Sequence, residues 1–160
     1  MRKEIIGQKT VAGEGRSAGE WLDLASIARV ELTSEDPAFP VENALSTNPE
    51  LNELGWRAGT AGPQTLTLLF DASQNIRRIR LHFMEHMMER SQEFVLRYSS
   101  TGQTDREIVR QQWTFSPNGS PQEIEDYAVE LESVTKLDLV IDPDRGRRHS
   151  VATLNALRLA

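Results

Sequence analysis

The sequence predicts an all-β domain, an antiparallel sandwich or barrel carrying one or two short helices. Three observations lead there. Apolar residues recur at every second position along most of the chain, clusters of Gly, Pro, Asn, Asp and Ser separate these runs, and no long amphipathic helices alternate with them as a doubly wound sheet requires. At 160 residues the chain has the size of one ordinary domain, large enough to bury a core without disulfide or metal staples.

Residues 7–20, GQKTVAGEGRSAGE, hold four of the ten glycines and little that could be buried, so residues 1–20 read as a flexible arm and 21–160 as the folded body. The first strand is Ala28, Val30 and Leu32 alternating with Arg29, Glu31 and Thr33. PVENAL, residues 40–45, suits about a turn of helix. Asn48 followed by Pro49, Leu51, Leu54 and Gly55 reads as N-cap, first-turn proline, one apolar side and glycine stop. Leu66, Leu68 and Phe70 make the next strand, then Ile79, Leu81 and Phe83. Further strands follow at Phe94, Leu96 and Tyr98, over residues 108–115, at Tyr127, Val129 and Leu131, at Leu137, Leu139 and Ile141, and over 151–159. AGTAGP, DASQN, STGQTD, SPNGSP and DPDRGRR read as the turns between them, with Asn118-Gly119 a tight turn rather than a glycosylation site.

Composition excludes several classes. The formal charge of −6 opposes nonspecific coating of nucleic acid or an anionic membrane. No apolar run approaches the ~20 residues of a spanning helix. The start, MRKEIIGQK, lacks the continuous apolar segment of a secretory signal, and zero cysteines exclude disulfides, thiolate ligands and a cysteine nucleophile. The expected compartment is the cytoplasm.

Three motifs match on paper only. GRSAG, residues 15–19, has nucleophile-elbow spacing, and Gly13, Gly15 and Ala18 fit a dinucleotide-binding pattern, but no apolar strand precedes either. HFMEH, residues 82–86, matches an inverted zinc-protease motif that works on a helix, whereas Ile79, Leu81 and Phe83 place His82 on the outer face of a strand and His86 in the loop beyond. The paired carboxylates Asp142 and Asp144, or Glu123 and Glu125, have no marked acid–base partner. The expectation is a noncatalytic protein without cofactor or metal.

From Arg29 onward, VELTSEDPAFPVENAL, GWRAG, TLTLLFDASQNIRRIRLHF, EFVLRYSSTGQ, KLDLVI and ATLNALRL follow one another in an order that resembles the discoidin or coagulation-factor C-terminal (F5/8 type C) family, the galactose-binding-like β-sandwich. The likeness spans about 130 residues. It implies a jelly-roll of about eight strands with neighbouring termini and ligand loops gathered at one end. Those loops map to residues 35–39, 57–62, 84–92 and 144–149.

DRGRRHS, residues 144–150, then becomes a candidate wall of a pocket, and Phe39, Arg57, His86, Arg90, Arg145, Arg147, Arg148 and His149 become candidate ligand residues. Trp56 reads as a core plug, and Asn43 as a partner for loop backbone. Ser46-Thr47 stands where family members with a calcium loop often have Asp-Gly, which argues against calcium. An aromatic platform is missing near the last strand, leaving Phe39 or Trp113 as the stacking candidates. Guanidinium groups favour acidic ligands. The function expected is a noncatalytic carbohydrate-binding module for an acidic or polar glycan, with Arg57, Arg90, Arg147 and His149 in contact. The alternative is a protein- or nucleic-acid-interaction module of the same fold, since the WRA segment is also similar to the amino-terminal domain of a DNA-strand-break repair scaffold.

Overall fold

The computed structural model describes residues 20–147 and 149–160. The expected arm, its GRSAG motif and Arg148 therefore lie outside the described residues, apart from Glu20. The elements are α1 (Leu24–Ile27), β1 (Ala28–Leu32), α2 (Val41–Leu45), α3 (Pro49–Leu54), β2 (Trp56–Arg57), β3 (Gln64–Met84), β4 (Arg90–Ser100), β5 (Gln103–Phe115), β6 (Gln122–Asp142), β7 (Thr153–Leu154) and β8 (Ala156–Leu159). Every strand pairing is antiparallel.

Two 21-residue strands, β3 and β6, organise the fold. They pair from Gln64 with Ile141 to Met84 with Gln122, interrupted by register shifts between Leu69 and Arg78. On one side of the interruption β1 joins β3 and the β4–β5 hairpin joins β6; on the other, β8 joins β3. The ribbon closes on itself, because Phe83 near one end stacks on Phe94, ring centroids 5.3 Å apart, and Phe94 pairs with Ile141 near the other end. The result is a sandwich whose alternate residues meet in one core. Leu66, Leu68, Ile79, Leu81, Phe83, Phe94, Leu96, Leu137, Leu139 and Ile141 are all buried, as the two-residue rhythm requires.

DASQN, expected as a turn, is instead part of β3 at the point where the ribbon is irregular, facing the stretch of β6 around Ser133. Asn75 Oδ1 accepts the Ser133 amide, and Ser133 has a φ of 53°. Bulges of this kind let a paired ribbon bend without ending. The last expected strand is split into β7 and β8 by Asn155, whose amide donates to His82 O and whose side chain donates to Asn52 O.

The capping expectation for α3 is met: Asn48 Oδ1 accepts the Glu50 amide and Gly55 ends the helix at a φ of 67°. A Cβ at Gly55 would lie 2.8 Å from Leu154 O, so glycine is required there by both conformation and space. The apolar side assigned to α3 is not the buried one. Leu54 is 57% exposed, while Asn52 is buried and holds the turn together by donating to Asn43 O and Ser46 O. A third helix, α1, escaped the sequence reading; four residues are too few to show a period.

Candidate functional site

Chain ends of the strands decide where the loops go. Leu32 of β1 pairs with Leu66, Asp142 of β6 with Glu93, Met84 of β3 with Gln122, and Arg57 of β2 with Thr153. Each of these pairs lies at the same end of the sandwich. The loops beyond them are stitched by backbone hydrogen bonds: Asp36 N to Arg57 O at 2.9 Å, Gly62 N to Ser150 O at 3.0 Å, Arg145 N to Ser91 O at 2.8 Å and Glu85 N to Pro121 O at 2.8 Å. The described residues of segments 35–39, 57–62, 84–92 and 144–149 thus form one crown.

The DRGRRHS loop is rigid at its root. Asp144 is buried, its Oδ1 accepting the Ser91 amide and its Oδ2 the Ser150 hydroxyl. Arg147 N returns to Asp144 O, with Gly146 at a φ of 80° in the turn. A left-handed third position is what lets so short a loop reverse. Arg147 and His149 are exposed, and among the described residues neither side chain has a partner.

Arg145 turns away from the crown centre, to Glu93 at 3.4 Å and Gln112 Oε1 at 3.1 Å. That cluster holds Glu93 below the usual carboxylate range, chiefly through the Arg110 hydrogen bond, with Gln112 and Arg145 adding to it. Arg57 is exposed, with its backbone amide bonded to Phe39 O. Phe39 is half-buried beside it. His86 is exposed in the β3–β4 loop, next to Met87, which is 88% exposed. Sequence reasoning passed over Met87; its signal was an apolar residue in a stretch without alternation.

Arg90 is not a surface cation. Its side chain is 0% exposed and ion-paired to Glu85 at 2.7 Å. Nη1 donates to Pro143 O and Gln92 Oε1, Nη2 donates to Thr153 Oγ1, and the guanidinium lies 4.6 Å from the Phe115 ring centroid. It ties the 84–90 loop to the 143–153 segment from below. Its role in the described structure is to position the crown, and its donors are spent on the protein.

Under Arg90 the polar chain continues. Gln92 donates to Glu123 Oε1 at 3.2 Å, and Glu123 is fully buried. Burial first, then neighbouring Glu125, push the Glu123 carboxyl up to about 8, so it is neutral at pH 7. Tyr127, which donates to Glu125 at 3.4 Å, is pushed up by burial and by the same carboxylates.

The aromatic candidates divide. Trp113 packs half-buried against the core with its Nε1 enclosed, on β5 and outside the four mapped segments. Trp56 is 1% exposed and plugs the core as expected, and Asn43 donates to Gly55 O. His82 projects from a strand to Gln122 Oε1, and His86 lies beyond the strand, so HFMEH has no helical face on which to act.

Two clefts of about 270 and 300 Å³ lie elsewhere. One is on the outer face of β3 and β8 beside α3, the other along β1 and α2; they reach the mapped loop segments only at Met84 and Glu35.

These features define a galactose-binding-like β-sandwich with a loop crown at one end. No family model and no curated protein matches the sequence. Solved structures match the fold throughout. A family 32 carbohydrate-binding module of Clostridium perfringens NanJ in complex with galactose is 11% identical, with a TM-score of 0.64, over 87% of this chain and 96% of that one. A second Clostridium perfringens module, CpGH89CBM32-4 in complex with glcNAc-alpha-1,4-galactose, is 12% identical, with a TM-score of 0.65, over 92% and 99%. The CBM32 of AlyQ in complex with 4,5-unsaturated mannuronic acid is 14% identical, with a TM-score of 0.56, over 88% and 98%. The fold implied by the sequence resemblance is the fold observed.

Proposed function

We propose that the chain is a noncatalytic carbohydrate-binding module that takes an acidic glycan on the crown. The observation that carries this is the convergence of four loops on which Arg57 and Arg147 stand exposed, with no side-chain partner among the described residues, and which also carry His86 and His149. An unpaired guanidinium donates bidentately to a carboxylate and loses little water in an open site. Phe39 and Met87 supply the apolar surface against which a sugar ring can lie. The fold neighbours support a glycan ligand, and one of them was solved with a uronate.

Arg90, expected among the contact residues, positions the loops instead, and Arg145 is committed to Glu93. The test is a glycan array followed by calorimetry with uronic acid oligosaccharides and with neutral galactose. Arg57→Ala and Arg147→Ala should each weaken uronate binding by roughly 10- to 150-fold, the worth of one charge-assisted hydrogen bond of ~1.5–3 kcal/mol, at unchanged Tm. An array blank for every glycan, or binding indifferent to both substitutions, contradicts the proposal.

A further inference from the structure

A second cationic feature lies on the outer face of the β8–β3–β6 layer, away from the crown. Register places Arg80 of β3 directly beside Arg158 of β8, with Asp126 of β6 on the other flank. Like charges facing each other across strands are destabilising, and sheets usually interpose a carboxylate. Here the carboxylate is taken. Asp126 is held bidentately by Arg78, at 2.8 and 2.7 Å, leaving Arg80 with no hydrogen bond or ion pair among the described residues.

Arg158 is better anchored but not neutralised. Its Nη2 donates to Asn52 Oδ1 and, at 3.5 Å, to Thr47 O, and its guanidinium lies 6.0 Å from the Trp21 ring centroid, all neutral groups, while its Nε is enclosed without a hydrogen bond among the described residues. Burial, and then Arg80, lower its affinity for its proton. Two residues further along the sheet, and so on the same face, His82 faces Ala156, and the small side chain leaves space. The two arginines, His82 and Ala156 line the cleft of about 270 Å³ against Asn52 and Glu53 of α3. Glu53 is the single carboxylate in that lining and is exposed to water, where its field is screened.

We infer that this cleft is a binding site for a compact tetrahedral oxyanion, a phosphate or sulfate group, held between the Arg80 and Arg158 guanidinium groups. Two adjacent cations call for a ligand that brings more than one negative charge and at least three acceptor oxygens, which a tetrahedral oxyanion does and a single carboxylate does not. The cleft is smaller than the ~300–1,000 Å³ typical of drug-sized ligands, which fits a small group or the end of a larger one. The site is independent of the crown and does not rest on the glycan reading.

The experiment is an amide chemical-shift titration of the whole chain with inorganic phosphate, then with inorganic sulfate, each at ionic strength held constant with sodium chloride. The expected result is saturable shifts at Arg80, His82, Ala156 and Arg158, at least tenfold weaker in Arg80→Gln and unchanged in Arg57→Ala. Arg80→Gln is the informative variant because Arg80 makes no hydrogen bond among the described residues and acts on Asp126 only through its charge, whereas Arg158 holds Asn52. Stronger binding of phosphate or of sulfate identifies which oxyanion the site prefers. Shifts that do not saturate, that survive Arg80→Gln, or that fall on the crown and vanish in Arg57→Ala overturn the inference. The last outcome would still leave the crown as an anion site, so the two proposals fail separately.

Discussion

Replacing Arg90 by methionine keeps most of the side-chain volume and removes the charge. Glu85, only 13% exposed at its side chain, then loses the guanidinium 2.7 Å away, and Pro143 O and Thr153 Oγ1 lose a donor. Breaking a buried ion pair by removing one partner costs ~3–5 kcal/mol, because the remaining charge stays buried without compensation. For a domain of this size that corresponds to a fall in Tm of roughly 6–20 °C. Urea unfolding of wild type, Arg90→Met and the Arg90→Met/Glu85→Met pair measures it. The double variant should recover part of the loss, since no lone carboxylate is left, and the coupling should exceed ~0.5 kcal/mol, as for residues in direct contact. A single-variant loss below about 1 kcal/mol, or strict additivity of Arg90→Met and Glu85→Met, would refute the positioning role.

Other consequences are simpler to state. Glu123 binds its proton more tightly in the folded chain, up to about 8, than in the unfolded one. Between the unfolded value and that point the native state holds the extra proton, so stability falls as pH rises through this window, by up to ~1.4 kcal/mol per pH unit. Glu123→Gln should flatten that slope in urea midpoints measured from pH 5 to 8; an unchanged slope contradicts the assignment. Gly55→Ala should cost at least the ~1–3 kcal/mol of a strained backbone, since its Cβ would also meet Leu154 O at 2.8 Å; tolerance without loss would contradict the close approach. Arg145→Ala should leave uronate affinity within about twofold, because its guanidinium already serves Glu93 and Gln112; a tenfold loss would return it to the ligand surface.

Strands were legible because one face of each is buried, and burial imposes the alternation seen at Ile79, Leu81 and Phe83. The helix at Pro49 was legible because its cap and stop are local. What the sequence concealed depends on distant partners. DASQN has turn composition, yet Asn75 finds Ser133 across the ribbon and the pairing continues. Arg90 looks like its neighbours in composition, but Pro143 and Thr153, more than fifty residues away, complete its burial. Trp113 follows the adjacent polar pair Gln111-Gln112, which hid that it packs against the core. The crown itself was visible only as loop segments, whose meeting follows from where β3 and β6 fold back.

The most direct test is an amide chemical-shift map of the whole chain titrated with a uronic acid oligosaccharide. Perturbations centred on Arg57, His86, Arg147 and His149 are expected, with the ribbon bend around Gln74 and Ser133 silent. Saturable shifts centred on that bend, or none at millimolar oligosaccharide, would contradict the crown as the binding surface.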